Sequence, residues 1–200
     1  MEFDFKIEVL EDIESYFLLH GENEYTWKEI EEKYSEKWRE AVDKLANSDL
    51  PNIYFLQHIN EASGDLRGTE KEWMRHKIYW EALAFVLIKR GLPRISDVKK
   101  EILIWWQDAN WPGYLLMHKF VVEHKDEFVT ETKESILLAL EKKDWMWLYW
   151  LLEHLYKDVV PDLTEETIQK IDEVIEFMYL NETWANLMKK YGDFIKQLCR

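Results

Sequence analysis

Apolar residues along the chain recur with the spacing of amphipathic helices. No segment shows sustained two-residue alternation bounded by turn residues, which is the pattern of a half-buried strand. We predict about ten helices, at residues 3–19, 27–46, 52–62, 70–90, 96–108, 111–124, 130–142, 145–157, 165–179 and 183–198. The sequence therefore predicts an all-α fold.

Several of these helices begin at residues that cap free backbone N–H groups. Thr26 with Glu29, and Thr69 with Glu72, fit the capping box, in which a hydroxyl and a carboxylate satisfy the first turn reciprocally. Thr164 precedes two glutamates, which the helix dipole favours in a first turn. All four prolines lie between helices or at their starts.

Two of the predicted helices are apolar nearly all round. In the run from residue 80 to residue 88, Glu81 is the one polar residue. Residues 145–152 form a second run of large apolar side chains. A helix that is apolar on every side belongs in the interior, covered by neighbours. We therefore expect both helices to be central.

One internal boundary is indicated at Gly91-Leu92-Pro93, because glycine ends helices and proline cannot continue them. It separates an amino-terminal helical module, residues 1–92, from a second helical domain, residues 94–200. Such a short corner is not a flexible tether. We expect the two modules to pack as one continuous body.

The second module contains an internal similarity at a fixed offset of 34 residues. Residues 102–121 align with residues 136–155, and each copy consists of a helix, a tight corner and a second helix. Stacked antiparallel hairpins of this kind form a short α-solenoid like those of HEAT proteins. Chance agreement between two amphipathic hairpins is the alternative explanation.

Composition adds limits on function. The 200 residues are 47% hydrophobic and include 11 tryptophans, so a substantial core is possible. The formal net charge of −14 repels nucleic acids, and the basic stretches at 89–94 and 99–100 are short. This acidity suits a basic protein partner, although a solvated surface kept soluble by carboxylates is the more common reason for it.

Cellular location is suggested by what the sequence contains. Cys199 is the single cysteine, so no disulfide can form within the chain. The first residues do not resemble a secretion signal, and the longest apolar runs are shorter than the roughly 20 residues that span a bilayer. We expect a cytoplasmic protein that does not enter membranes.

The most distinctive string, Trp105–Gly113, lies at the corner of the first repeat. Asn110 is placed to cap the following helix and Pro112 to occupy its first turn, as Asp144 caps the second copy. A corner held by Trp111 in the core explains the string structurally. Polar residues at corners cap helices more often than they catalyse.

The alternative is that Trp105, Gln107 and Asp108 project together from the rim of a groove. An indole beside an amide and an acid suits recognition of a peptide or a small polar ligand. No nucleophile or base accompanies the acid, which disfavours catalysis. The candidate binding residues are Trp105, Gln107, Asp108, Asn110, Trp111 and Trp150.

Over residues 94–198 the chain resembles a family of short bacterial domains of unknown function. The resemblance is carried by the signature W-x-Q-D-x-N-W-P at residues 105–112, and by an acidic and aromatic run at residues 144–150. It implies a small HEAT-like helical array. It implies no activity, because the family's function is not known.

Other candidate chemistry is sparse. The six histidines do not show the spacing of a zinc site with three ligands, so we predict neither a metal nor a cofactor. Glu81 is a possible buried acid, with Lys77 as its ordinary partner. Trp27, Trp38, Trp73 and Trp184 lie on charged helices and are candidates to line a groove or an interface.

Three functions remain open at this point. The first is a non-enzymatic helical scaffold that binds a protein or peptide near the corner. The second is an acidic inhibitor or immunity-type protein that neutralises a basic effector. The third is a hydrolase-like enzyme using Asp108 or Glu81, which requires a pocket with convergent polar groups.

Overall fold

A computed structural model describes residues 42–53, 55–56, 80, 83–107, 109, 111, 113–180 and 183–200. These residues form helices and turns and include no strand, which confirms the all-α prediction. None of the helices they form is both long and apolar enough to cross a bilayer. The predicted helix at 3–19 and the capping boxes at Thr26 and Thr69 lie outside the described residues.

The described residues between 92 and 200 form eight α-helices, numbered here in chain order: α1 Leu92–Ile95, α2 Lys99–Ile102, α3 Tyr114–Glu123, α4 Val129–Lys142, α5 Trp145–Leu151, α6 Lys157–Val159, α7 Glu165–Tyr179 and α8 Trp184–Leu198. Short 3-10 segments lie at Ser96–Val98, Leu103–Gln107 and Lys125–Glu127, and a π-turn at Leu152–Tyr156. Residues 42–46, 52–53, 55–56 and 83–90 are also helical.

The helices predicted at 130–142, 165–179 and 183–198 match α4, α7 and α8 within one residue at each end. The prediction at 96–108 was wrong in detail, because this stretch alternates between 3-10 and α geometry. The helix predicted from 111 begins instead at Tyr114. Gly113 has a φ of 82°, which a right-handed helix does not accommodate.

Two of the predicted caps are confirmed by their hydrogen bonds. The hydroxyl of Thr164 accepts the N–H of Thr167 at 3.1 Å, at the start of α7. The carboxylate of Asp144 accepts the N–H of Trp147 at 3.1 Å, at the start of α5. Satisfying these N–H groups fixes where each helix begins.

The chain divides into two compact units. The first comprises residues up to Asp97 together with Trp111–Leu116, and the second comprises residues 98–110 and Met117–Arg200. That the modules 1–92 and 94–200 form one continuous body stays a prediction.

In the first unit a buried arginine closes the end of a helix. Arg90 donates from Nη1 to the carbonyl of Leu50 at 2.8 Å and to Oδ1 of Asn52 at 2.7 Å. Its Nη2 donates to the carbonyls of Leu45, at 3.2 Å, and Ser48, at 2.9 Å. Leu45 lies in the helix at 42–46, whereas Ser48 and Leu50 follow it, so the guanidinium ties the end of this helix to the turn after it.

Around this arginine the predicted central helix is buried. Leu83, Ala84, Phe85, Val86 and Leu87 have almost no exposed surface, which confirms the expectation for residues 80–88 where they are described. Glu81 lies outside the described residues.

The second unit is built from helices that pack in pairs. Helix α4 packs against α2 and α5, α5 packs against the 3-10 segment Leu103–Gln107, and α7 packs against α8. Only Lys143 and Asp144 separate α4 from α5, and Lys143 adopts a left-handed conformation with φ 55°. This tight corner lies where the sequence predicts the corner of the second copy, residues 136–155.

Helix α5 was expected to be buried on all sides, and that expectation was wrong. Trp147, Leu148 and Leu151 are buried, but the Met146 side chain is 51% exposed. Trp145 and Tyr149 are half-buried. One face of α5 is covered by its neighbours in the unit, whereas the face carrying Met146 is not.

We predict that Gly91→Ala lowers the free energy of unfolding by about 1–3 kcal/mol. Gly91 has φ 77° and ψ 152°, a backbone conformation that is essentially restricted to glycine. No other atom lies within 4 Å of the added methyl group, so backbone strain alone causes the loss. Equilibrium unfolding in urea measures the change.

Gly192→Ala is the matched control. Gly192 lies within α8, and its added methyl group meets only the flexible end of Met188, at 2.8 Å from Cε. Because alanine favours a helix over glycine, we expect this variant to gain up to about 1 kcal/mol. A loss of similar size at both glycines would contradict the argument from Gly91 geometry.

Candidate functional site

The corner string does not form the exposed surface that the sequence suggested. Trp105 is completely buried, so its ring does not project from a rim. Gln107 is half-buried. Trp111, in the first unit, is half-buried and meets the Trp80 ring edge-on, with the ring centroids 4.0 Å apart. This ring contact is of the kind expected if Trp111 holds the corner by packing.

Two of the six candidates, Asp108 and Asn110, lie outside the described residues, as does Pro112. The remaining candidate, Trp150, is half-buried on α5 and packs against Tyr149 and His154 at centroid distances of 5.1 and 4.8 Å. Helix α5 packs against the segment that carries Trp105 and Gln107. A binding role for the six residues as a set stays a prediction.

A short π-helical segment, Leu152–Tyr156, follows α5, and side chains from two other segments of the second unit hydrogen-bond to it. Within it, the carbonyl of His154 accepts a hydrogen bond from Nε2 of His118 at 2.8 Å. Nε1 of Trp106 donates to the same oxygen over a longer distance, 3.5 Å. Turns of this kind interrupt α-helices rarely and often occur at functional sites.

The geometry fixes the tautomer of His118. A carbonyl oxygen only accepts, so Nε2 of His118 carries the proton. The same nitrogen lies 3.2 Å from Oδ2 of Asp158, which accepts as well. One imidazole N–H from α3 thus serves two acceptors, the carbonyl of His154 and the carboxylate of Asp158 on α6.

The second imidazole, His154, is held in a less polar environment. Its ring packs at a tilt on Trp150, and burial lowers the pKa of His154 below the ordinary value. The neighbouring charges act in both directions, because Glu153 and Asp158 raise this pKa whereas His118 and Lys157 lower it. Burial is the largest of these effects, so the folded chain favours a neutral His154.

The hydrogen bonds of His118 and the ring contact of His154 connect helical segments of the second unit. Within the described ranges, no three His, Cys, Asp or Glu side chains converge to hold a metal ion. A cleft on α7 and α8 contains neither carboxylate nor imidazole, and its lining residues are Phe177, Asn186, Lys189 and Lys190. Both acids proposed for a hydrolase, Asp108 and Glu81, lie outside the described residues.

A different surface of the second unit exposes large apolar side chains. It combines the start of α5 with the turn between α7 and α8. Met146 is 51% exposed, Tyr179 is 76% exposed and Leu180 is 67% exposed. The term aromatic patch denotes this surface, which consists of Trp145, Met146, Tyr149, Tyr179, Leu180 and Trp184.

One ring contact joins two of the helices that carry the aromatic patch. The rings of Trp145 and Trp184 meet edge-on, with centroids 6.1 Å apart. Burial first, then the Glu153 charge and the Tyr179 phenol, raise the pKa of Tyr149.

Helix caps fix the elements that carry the aromatic patch. The Asp144 cap sets the start of α5, which places Trp145 at its first position. Thr183 caps α8 by accepting the N–H of Asn186 at 3.3 Å, and this places Trp184 first in α8. Both tryptophans therefore sit at helix starts whose positions are set by hydrogen bonds.

Comparison with protein families identifies residues 80–190 as a domain of unknown function, DUF5071. The chain belongs to the DUF5071 family. The match begins and ends earlier than the resemblance proposed for residues 94–198, and it includes helical residues 83–90. Comparisons with curated proteins and with solved structures find no match.

The DUF5071 span contains the whole aromatic patch. Sequence reasoning singled out Trp184 as a candidate interface ring, but it assigned Met146 and Tyr149 to the core. A signal for the rest was present in Tyr179 and Leu180, two large apolar residues at the end of a helix. Their exposure depends on which elements cover that helix end, which the local sequence does not encode.

We predict that the free energy of unfolding falls as the pH decreases through about 6.5, the ordinary pKa of histidine. Because burial lowers the pKa of His154 in the folded chain, the unfolded chain takes up a proton that the folded chain does not. The contribution of a neutral His154 to the free energy of unfolding is therefore fully present above this pH and decreases below it. Urea unfolding at about pH 8 and about pH 5.5 measures the loss.

The His154→Gln variant serves as the comparison, because it keeps the backbone carbonyl that His118 and Trp106 contact. We expect it to lose less stability between the two pH values than the wild type. Equal losses in the two proteins would show that His154 does not contribute to the pH dependence.

Proposed function

We propose that this DUF5071 protein is a non-catalytic helical module that binds another protein through the aromatic patch. The observation that carries the proposal is the joint exposure of Met146, Tyr179 and Leu180 beside half-buried rings. Isolated exposed apolar residues are normal, whereas clustered ones mark binding surfaces. Tyrosine, tryptophan and methionine are also the residues enriched at the centres of protein interfaces.

The proposal keeps the protein-binding function inferred from the sequence and moves its surface. The buried ring of Trp105 gives a partner nothing to touch at that position. Trp150 lies next to Tyr149 on α5, so it supports the patch from beneath. The string at 105–112 then acts as a structural corner.

We also propose that the 34-residue repeat stacks as in HEAT proteins, and that the W-x-Q-D-x-N-W-P string is a signature of the family. The proposed setting is the bacterial cytoplasm. Three aligned pairs support the repeat by being fully buried in both copies: Ile102 and Ile136, Met117 and Leu151, and Val121 and Leu155. The pair Leu103 and Leu137 differs, since only Leu103 is buried.

A photo-crosslinking experiment tests the proposed surface. A benzophenone amino acid is placed at position 146 or 180 of the full chain, in cells that naturally produce the protein. Leu137 on α4 is the control position, because it is also an exposed leucine, at 44%, but lies outside the aromatic patch. We expect a discrete crosslinked product from 146 and 180 and none from 137.

The same comparison can be made with substitutions. Tyr179→Ser with Leu180→Ser should abolish capture of the crosslinked partner, because both side chains leave the contact surface. Leu137→Ser should leave capture unchanged. Equal products from all three crosslinking positions, or capture that survives in the double variant, would contradict the proposed site.

A further inference from the structure

An acidic stripe on α7 leads directly to the aromatic patch. Glu173, Glu176 and Leu180 are spaced by three and four residues, so their side chains follow one exposed face of the helix. Glu176 is also one turn before Tyr179. Neither Glu173 nor Glu176 forms an ion pair in the part of the chain that the structure describes.

Two other acids of the second unit, Glu153 and Asp172, share one lysine. Nζ of Lys157 lies 3.0 Å from Oδ1 of Asp172 and 3.3 Å from Oε2 of Glu153. Among the described residues, no cation offsets the charges of Glu173 and Glu176 in this way. The pair precedes the exposed ring of Tyr179 on the same helix.

Aromatic rings elsewhere in the second unit are covered by lysines. Lys142 lies 5.6 Å from the Trp147 ring centroid, and Lys190 lies 4.8 Å from that of Tyr191. Among the described residues no lysine or arginine lies over Tyr149 or Tyr179. A cation over an exposed ring face is attracted by its quadrupole, most strongly when acids lie nearby.

Charge decides between the possible occupants of the aromatic patch. A second copy of this chain would bring two acidic stripes together, in addition to a formal net charge of −14 on each molecule. An anionic membrane surface would be repelled for the same reason. A positively charged protein segment experiences attraction from both the acids and the ring faces.

We infer that the aromatic patch receives an arginine- or lysine-containing segment of a partner protein, with its cations at Glu173 and Glu176 and its apolar groups on Met146 and Leu180. The inference rests on the proposed function and specifies its partner. It also connects the protein-binding module to the alternative of an acidic protein that neutralises a basic effector.

The probe for this inference is a fluorescein-labelled peptide of alternating arginine and leucine. The same peptide with glutamate in place of arginine is its charge-reversed control. Fluorescence anisotropy with the full chain measures binding. We expect the arginine peptide to bind and the glutamate peptide not to bind.

Two protein variants with the same change in net charge separate a local site from general attraction. Glu173→Gln with Glu176→Gln removes the acidic stripe, and we expect about tenfold weaker binding of the arginine peptide. Glu165→Gln with Glu166→Gln removes two acids at the other end of α7, and we expect less than about threefold weakening. Urea unfolding confirms that both variants remain folded.

An apolar pair of variants tests the rest of the site. Tyr179→Ser with Leu180→Ser should weaken the arginine peptide about tenfold, whereas Leu137→Ser should leave its affinity unchanged. Equal weakening by the two glutamine variants would overturn the inference, as would equal binding of both peptides or no binding of either.

The crosslinking experiment distinguishes failure of the inference from failure of the proposed function. A partner captured at 146 and 180 whose crosslinked segment lacks arginine and lysine would overturn the inference alone. Absence of site-specific crosslinks at 146 and 180 would overturn both.

Discussion

The peptide carbonyl of His154 joins three segments of the second unit. A backbone carbonyl removed from water needs a donor, and a π-helical segment changes which backbone groups are available to one another. Here the donors come from His118 and Trp106, which belong to segments far apart in sequence. One oxygen atom therefore joins α3, the 3-10 segment before it, and the helical line that runs from α5 to α6.

This interaction also sets the position of the aromatic patch. Helix α5 is anchored at its start by the Asp144 cap and at its end by the π-turn. With both ends fixed, its covered face carries Trp147, Leu148 and Leu151, and Met146 is left on the open side. Fixed ends hold α5 in position, and the face that no neighbour in the unit covers is the one that Met146 exposes.

Local features of this fold were predictable from the sequence, and long-range ones were not. The caps at Thr164 and Asp144 and the break at Gly91 are decided by a few neighbouring residues, so the pattern identified them. The carbonyl within the π-helical segment accepts a hydrogen bond from a histidine 36 residues away, which periodicity cannot show. Likewise, the same apolar run predicts a central α5 whether or not another layer covers Met146.

The basic stretch at 89–94 shows how a charge pattern can mislead. In sequence it was weighed as a possible nucleic-acid stripe. In the structure Arg90 and Arg94 donate to backbone carbonyls around residues 45–50, and Lys89 pairs with Asp43. Their partners lie more than 35 residues earlier, so composition could not reveal that these cations are consumed internally.

Arg90 and Tyr156 also show that the segment shared by the family is shorter than the unit that folds. Both lie within residues 80–190, yet Arg90 binds carbonyls before residue 53 and the Tyr156 hydroxyl donates to the carbonyl of Leu198 at 2.8 Å. The matched segment is therefore completed, at each end, by chain that lies outside it. Cut to residues 80–190, the chain would leave a buried guanidinium and a buried phenol without these acceptors.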